Sequence, residues 1–242
     1  MDMETLRRTR EGLSRLPERG YPVIMSTFDL APLLKSPCLP DIVATLSDRL
    51  HTEAIARAKF RDEMSDDQKV EFIDGEIVIH SPARRRHMIA KNHLLALLGA
   101  YVRMNSLGEV LDEKCLCVFP RNDYEPDIVF FSPAKASVFE SETMLFPVPD
   151  LVIEILSNST EARDRGVKYD DYEAHGVGEY WIIDPVAESI EQYVVEAGRF
   201  QLLLKSGSGE IASRVVSGFR IPIRAIFEDC ENLAVLKRFL GA

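Results

Sequence analysis

The stretch Leu151–Asp184, LVIEILSNSTEARDRGVKYDDYEAHGVGEYWIID, decides the fold. It opens with Leu151, Val152, Ile153, Ile155 and Leu156 around one charged residue, Glu154. An unbroken run of branched apolar residues reads as a strand buried on both faces. Ser157 to Thr160 then offer caps for a helix over roughly 161–175, which His175-Gly176 closes. Glu179–Asp184, EYWIID, is a second strand, stopped by Pro185. Strand–helix–strand at this spacing is a βαβ unit with parallel strands, so the chain is α/β. Glu154 then poses a problem, because an unpaired buried carboxylate costs several kcal/mol.

Upstream, KVEFIDGEIVIH places Asp74-Gly75 between alternating apolar residues, a hairpin signal with strands near 69–73 and 76–80. Residues 85–104 predict an amphipathic helix, with Met88, Leu94, Leu95, Leu98 and Val102 apolar and Gly108 as the stop. Strands follow near 109–119 and 127–131, joined by the turn residues Pro120 to Asp123. Downstream lie a hairpin near 189–195 and 199–205, a polar turn at Ser206–Gly209, and a terminal helix from about 229. Residues 41–63 carry Ile42, Leu46, Leu50, Ile55 and Phe60 at near-helical spacing behind Pro40. They predict a helical arm that packs on the core or between subunits. Residues 1–25 are charged and expected to be loosely held. The expected division is an arm over 1–65 and a core domain over 66–242 that ends in the hairpin and helix.

The 242 residues suffice for one sizeable α/β core, and 46% hydrophobic with 28% charged residues is ordinary for a globular protein. No apolar run approaches the roughly 18 residues of a membrane span. The charged N-terminus lacks the apolar centre of a signal peptide, so a cytoplasmic location and no membrane partner are expected. Cys115 and Cys117 form a C-x-C with no further Cys or His to complete a zinc pattern, so they read as small buried side chains. A net charge of −10 argues against nonspecific nucleic-acid binding by the whole surface. Arg84-Arg85-Arg86, flanked by His87 and Lys91, is the one dense basic cluster.

Asp127, in YEPDIVFF, is the second carboxylate at an apolar strand. Asp and Glu are disfavoured in strands unless something uses them. Two carboxylates on neighbouring strands can share one hard cation such as Mg²⁺. Each also has a plainer reading: Asp127 as a turn residue, Glu154 as the partner of a core Lys or Arg. Lys168 serves either reading of Glu154, since Asp164, Lys168 and Tyr172 share one helical face. Asp164–Lys168 alone could be a surface salt bridge. Tyr169, Tyr172 and Trp181 read as core residues.

The ordered segments VEFIDGEIVIHSP, EPDIVFF, PDLVIEILS, RDRGVKYDDYEAHGVGEYWIIDP and SGFRIPIRAIF resemble the Uma-two family of restriction endonucleases, within the PD-(D/E)XK nuclease superfamily. The resemblance spans roughly residues 66–228. It implies a restriction-endonuclease-like mixed sheet flanked by helices, here with the helical N-terminal arm added. Pro126-Asp127 matches the superfamily's first acidic element and Glu154 its glutamate. Leu156 stands where a lysine is usual, and Lys168, on the next helix, is the matching position. Glu71 matches a further acidic position, although a strand-end glutamate can simply be exposed. The implied activity is Mg²⁺-dependent hydrolysis of DNA phosphodiesters, with Mn²⁺ as an alternative ion. Asp127 and Glu154 would hold the metal with help from Glu71, and Lys168 would assist catalysis. Arg84, Arg85 and Arg86 would contact phosphate. His87 would either join them or be an ordinary helix residue. The class also implies a homodimer, because cutting both strands calls for two sites. Two alternatives stay open: an inactive nuclease-fold module for interaction or nucleic-acid binding, and a hydrolase of another phosphodiester.

Overall fold

The computed structural model describes residues 29–64 and 68–241, so the charged stretch 1–25 lies outside the described residues. The order begins with a short helix α1 (Ala31–Leu34) and the long arm helix α2 (Leu39–Glu63). A hairpin β1 (Val70–Ile73) and β2 (Glu76–Ile79) precedes α3 (Arg85–Met104). Next come β3 (Glu109–Asp112), β4 (Leu116–Val118), β5 (Asp123–Tyr124) and β6 (Ile128–Phe131). A short helix α4 (Pro133–Ala136) and β7 (Leu145–Phe146) lead to β8 (Leu151–Ile155). Two short helices, α5 (Glu161–Asp164) and α6 (Val167–Ala174), connect it to β9 (Glu179–Asp184). The chain continues with β10 (Ser189–Glu196), β11 (Arg199–Ser206), β12 (Glu210–Ala212) and β13 (Arg220–Pro222). A 3₁₀ turn (Ile223–Ile226) and α7 (Asp229–Leu240) follow.

Among the described residues the main sheet runs β11-β10-β9-β8-β6-β3, and a second sheet runs β2-β1-β5-β4-β7. β8 pairs parallel with β9, from Leu151 opposite Glu179 to Ile155 opposite Ile183, as the βαβ reading requires. β6 pairs antiparallel with β8, which makes the main sheet mixed. Its two faces have separate cores. Leu151, Ile153 and Ile155 pack with Leu94, Leu97 and Leu98 of α3 and with Val235 of α7. Val152 and Leu156 pack on the opposite face with Tyr172 of α6, Tyr180, and Phe119 and Tyr124 beside the second sheet. Strand alternation puts Glu154 on that second face. Each fully buried leucine of α3 contributes about 1.5–3 kcal/mol. Among the described residues no helix is long and apolar enough to cross a membrane.

Two expected elements differ in detail. The strand expected over 109–119 is two strands in two different sheets, broken where Lys114 takes a positive φ of 60°. The single helix expected over 161–175 is divided at Gly166. A Cβ there would stand 2.8 Å from the Ala162 carbonyl oxygen, so the close turn favours glycine.

The arm helix docks through its C-terminal half. Phe60 packs on Phe72 with ring centroids 5.8 Å apart. Arg57 and Arg61 both bond the fully buried Asp123 carboxylate, through Nε at 2.8 and 2.9 Å. Leu46, Leu50 and Ile55 are exposed. A second polar knot lies below the main sheet. Glu179, fully buried, accepts hydrogen bonds from Trp181 Nε1, Gln192 Nε2, Ser213 Oγ and the amides of Arg214 and Val215. Those five donors satisfy both of its carboxyl oxygen atoms.

Candidate active site

Glu154 leaves the middle of β8 toward α6. Its Oε1 accepts from Lys168 Nζ at 2.9 Å and from Tyr172 Oη at 2.9 Å. The same ammonium lies 2.8 Å from Glu71 Oε1 and 3.5 Å from Asp164 Oδ1. Lys168 is 1% exposed and Glu154 2%, so both groups are out of water. The helical face of Asp164, Lys168 and Tyr172 therefore turns inward over β8. Their order survives the break at Gly166 because α5 and α6 together still span the strand's end.

Asp127, immediately before β6, occupies the adjoining position. Its Oδ2 accepts from the Ile155 amide, 2.9 Å away, and so fixes the start of β6 against the end of β8. Its Oδ1 lies 2.8 Å from Lys69 Nζ and 3.4 Å from His87 Nε2. Glu71, on β1 of the second sheet, is fully buried. Its Oε2 meets His80 Nε2 at 2.8 Å, and its Oε1 also accepts the Glu125 amide at 3.0 Å. The site is thus the seam between the two sheets, with α6 closing one side and the start of α3 the other.

The expected residues divide clearly. Asp127, Glu154, Glu71, Lys168 and His87 are all buried at this seam. Arg84, Arg85 and Arg86 are exposed at the start of α3, on the turn that carries His87. Lys168 serves Glu154, Glu71 and Asp164, whereas the ammonium on Asp127 is Lys69. Lys69 was not singled out from the sequence, although strand alternation puts it on one face with Glu71, two residues on. Asp164 is 1% exposed, so its pair with Lys168 is buried and not a surface salt bridge. Tyr172 and Trp181 are fully buried and Tyr169 half-buried. Cys115 and Cys117 are buried and free.

The electrostatics follow from burial. Burial pushes Glu154 up to about 8. The Lys168 ammonium opposes this, and the carboxylates of Asp164 and Asp127 add to it. Burial likewise raises Asp164, again opposed by Lys168. Against the cost of burial, Lys168 and His80 hold Glu71 down to about 2. Lys69 and His87 likewise hold Asp127 far below the ordinary carboxylate range. Four buried carboxyl groups thus meet two lysine ammonium groups and two imidazoles at one seam. Among the described residues no hydrogen bond reaches Glu154 Oε2, and Asp164 Oδ1 is buried without one. Clustered carboxyl groups with oxygen atoms that take no hydrogen bond are the donor chemistry of a hard divalent cation. The residues present therefore fit such an ion. Within the described residues, three acidic, His or Cys ligand atoms mutually within 4.8 Å occur only at the half-buried to exposed Glu228, Cys230 and Glu231. An ion at the seam would therefore take one or two carboxylates plus water and phosphate, the usual Mg²⁺ pattern.

A mixed sheet flanked by helices, with this acidic and lysine-bearing seam, defines a restriction-endonuclease-like α/β protein. Residues 56–224 match the model of the Uma2 family, described as "Putative restriction endonuclease", and the chain belongs to that family. A crystal structure titled as "a putative nuclease belonging to DUF820 from Anabaena variabilis" is similar in fold. Its TM-score is 0.60 at 18% identity, over 73% of this chain and 96% of that one. No curated protein matches the chain in sequence.

Proposed function

We propose that the protein is a divalent-metal-dependent endonuclease that hydrolyses DNA phosphodiesters at the seam of Asp127, Glu154 and Lys168. The observation that carries this reading is the Lys168 ammonium shared by Glu154 and Glu71 next to the anchored Asp127. Asp127 and Glu154 would hold the ion, Mg²⁺ or Mn²⁺, with Glu71 beside them. A bound ion of this kind supplies Lewis acidity to the phosphate and lowers the pKa of a bound water.

The protein's own groups have separate tasks. Lys168, held by carboxylates on three sides, is oriented before substrate arrives and stabilises negative charge as it builds on phosphate. The Ile155 amide keeps Asp127 in register with Glu154. Lys69 balances Asp127 while no substrate is bound. Arg84, Arg85 and Arg86 offer exposed charge to the DNA backbone, which positions the duplex and carries no sequence information. Two active sites for two strands favour a homodimer, and the exposed Leu46, Leu50 and Ile55 of α2 supply apolar surface for it.

Titration with Mn²⁺, followed by calorimetry, tests the metal part. Wild type is expected to bind one or two ions per chain, and Asp127→Asn to lose that binding. A protein that binds none is the inactive nuclease-fold module instead.

A further inference from the structure

We propose that the free edge of β2 is a dimer contact, taking β2 of a second copy in antiparallel register about Val78. β2 ends the second sheet and pairs with β1 alone. Its Ile77 and Ile79 are 56% and 64% exposed. Ile73 and Glu76 close the hairpin, and the His80 amide donates to the Lys69 carbonyl oxygen at 3.0 Å. Bonded and non-bonded pairs alternate along an antiparallel ladder. The amides and carbonyls of Ile77 and Ile79 therefore point away from β1.

The other sheet edges are guarded. β11 exposes Leu202 and Leu203, but its pairing shifts register at Gln192/Tyr193 and it carries Lys205. Its Phe200 amide is taken by Glu173 Oε2 at 2.6 Å. β3 begins with Glu109 and ends with Asp112, and β7 has two residues. Bulges, charges and shortness are the usual protections of an edge strand. β2 has neither bulge, proline nor lysine, and its one charge, Glu76, sits beside the turn.

Self-pairing leaves little choice of register. Outward groups must meet outward groups, so the two-fold axis passes through one residue. Through Val78, it sets Ile77 against Ile79 of the second copy, and Ile79 against Ile77. Every outward group is then used, and β-branched side chains face each other across the joint. Through Ile77 or Ile79, the pairing runs off the strand, onto Gly75 or Ser81. The Val78 register also sets the exposed Glu76 against His80 of the second copy, an acid beside an imidazole.

This placement fits the rest of the molecule. Ile77 and Ile79 stand opposite Phe72 and Val70, on the face that α2 covers, so the two arm helices would flank the joint. Glu71 stands opposite Val78 in the ladder. The two Glu71 backbones would lie roughly 15 Å apart, three strand spacings. Both seams would face the same way, near the width of a major groove, roughly 12 Å.

The inference deepens the homodimer reading, and its test needs no cleavage. Sedimentation equilibrium is run on the full chain without metal or DNA, up to millimolar concentration. The mass is expected to rise from 27.3 kDa toward twice that value. Ile77→Lys with Ile79→Lys sets like charges opposite each other and is expected to weaken association at least about tenfold. Ile77→Lys with Ile79→Glu sets opposite charges across the same axis and is expected to restore it at low salt. Ile79→Pro removes an outward amide and no bond to β1, a place where edge strands tolerate proline. It too is expected to weaken association, with its melting temperature showing that it folds. A chain that stays monomeric would overturn the proposal. So would a mixed-charge variant no tighter than the double lysine one, or a dimer that survives the double lysine variant through Leu46 and Leu50. A β2 dimer that binds no metal and cuts nothing would sink the hydrolytic reading and leave the contact intact. Cleavage of both strands by a strictly monomeric chain would do the opposite.

Discussion

Lys168 Nζ lies 2.9 Å from Glu154 Oε1 across a strand end, a connecting turn and a divided helix. Fourteen residues separate them in sequence. That contact answers the problem posed by a glutamate in the middle of a buried strand. Lys168 reaches Glu154 from α6, on the face of the sheet that Leu156 shares.

Breaking the pair should be costly. Lys168→Met keeps much of the volume and leaves Glu154 and Glu71 without their ammonium. Removing one partner of a buried pair typically costs about 3–5 kcal/mol. Urea denaturation should show a loss of this order at pH 8, shrinking toward pH 5 as the stranded carboxylates protonate. An unchanged midpoint at both pH values would mean that Lys168 contributes no stability here.

The Glu179 knot makes a prediction independent of function. Glu179→Ala removes the acceptor for five donors, two of them backbone amides. The expected loss is about 3 kcal/mol or more. Trp181, the single tryptophan, donates to this carboxylate, so its fluorescence reports the transition directly. A loss below about 1 kcal/mol would show that water replaces the carboxylate at little cost.

Acid stability should depend on Glu191. Burial pushes its carboxyl up, but Arg165, Tyr193 and Lys205 hold it down to about 2. The folded value lies below the unfolded one, near 4.3. Its contribution is therefore complete above pH ~4.3 and lost as pH falls toward about 2. Glu191→Gln should melt lower than wild type at pH 6, and the gap should narrow by pH 3. For a chain of this size each kcal/mol moves the melting temperature by about 2–4 °C. A gap that stays constant with pH would contradict the assignment.

How much of this was legible depended on how far each residue's partners lie in sequence. Asp127 and Glu154 announce themselves because a carboxylate beside branched apolar residues breaks the pattern around it. The βαβ unit and both hairpins rest on local turns and periodicity, and they form, with the crossover helix divided at Gly166. Lys168 stands out only through the family resemblance, because its helical pattern equally suits a surface pair with Asp164. Lys69, in the polar stretch before β1, has the composition of an ordinary exposed lysine. The second sheet was illegible for a related reason. β5 and β7 have two residues each, and their pairing is decided by distant partners. The arm helix was legible as a helix, but not that Arg57 and Arg61 fix it through Asp123 while Leu46 and Leu50 face outward.

The most direct test is a cleavage assay on supercoiled plasmid with Mg²⁺ or Mn²⁺. Wild type, Asp127→Asn, Glu154→Gln and Lys168→Met are purified in parallel and checked for folding by circular dichroism. The account predicts nicking by wild type that stops with EDTA and falls about 10²–10³-fold in each variant. Cleavage that survives all three substitutions, or folded wild type that cuts nothing with either ion, would contradict it.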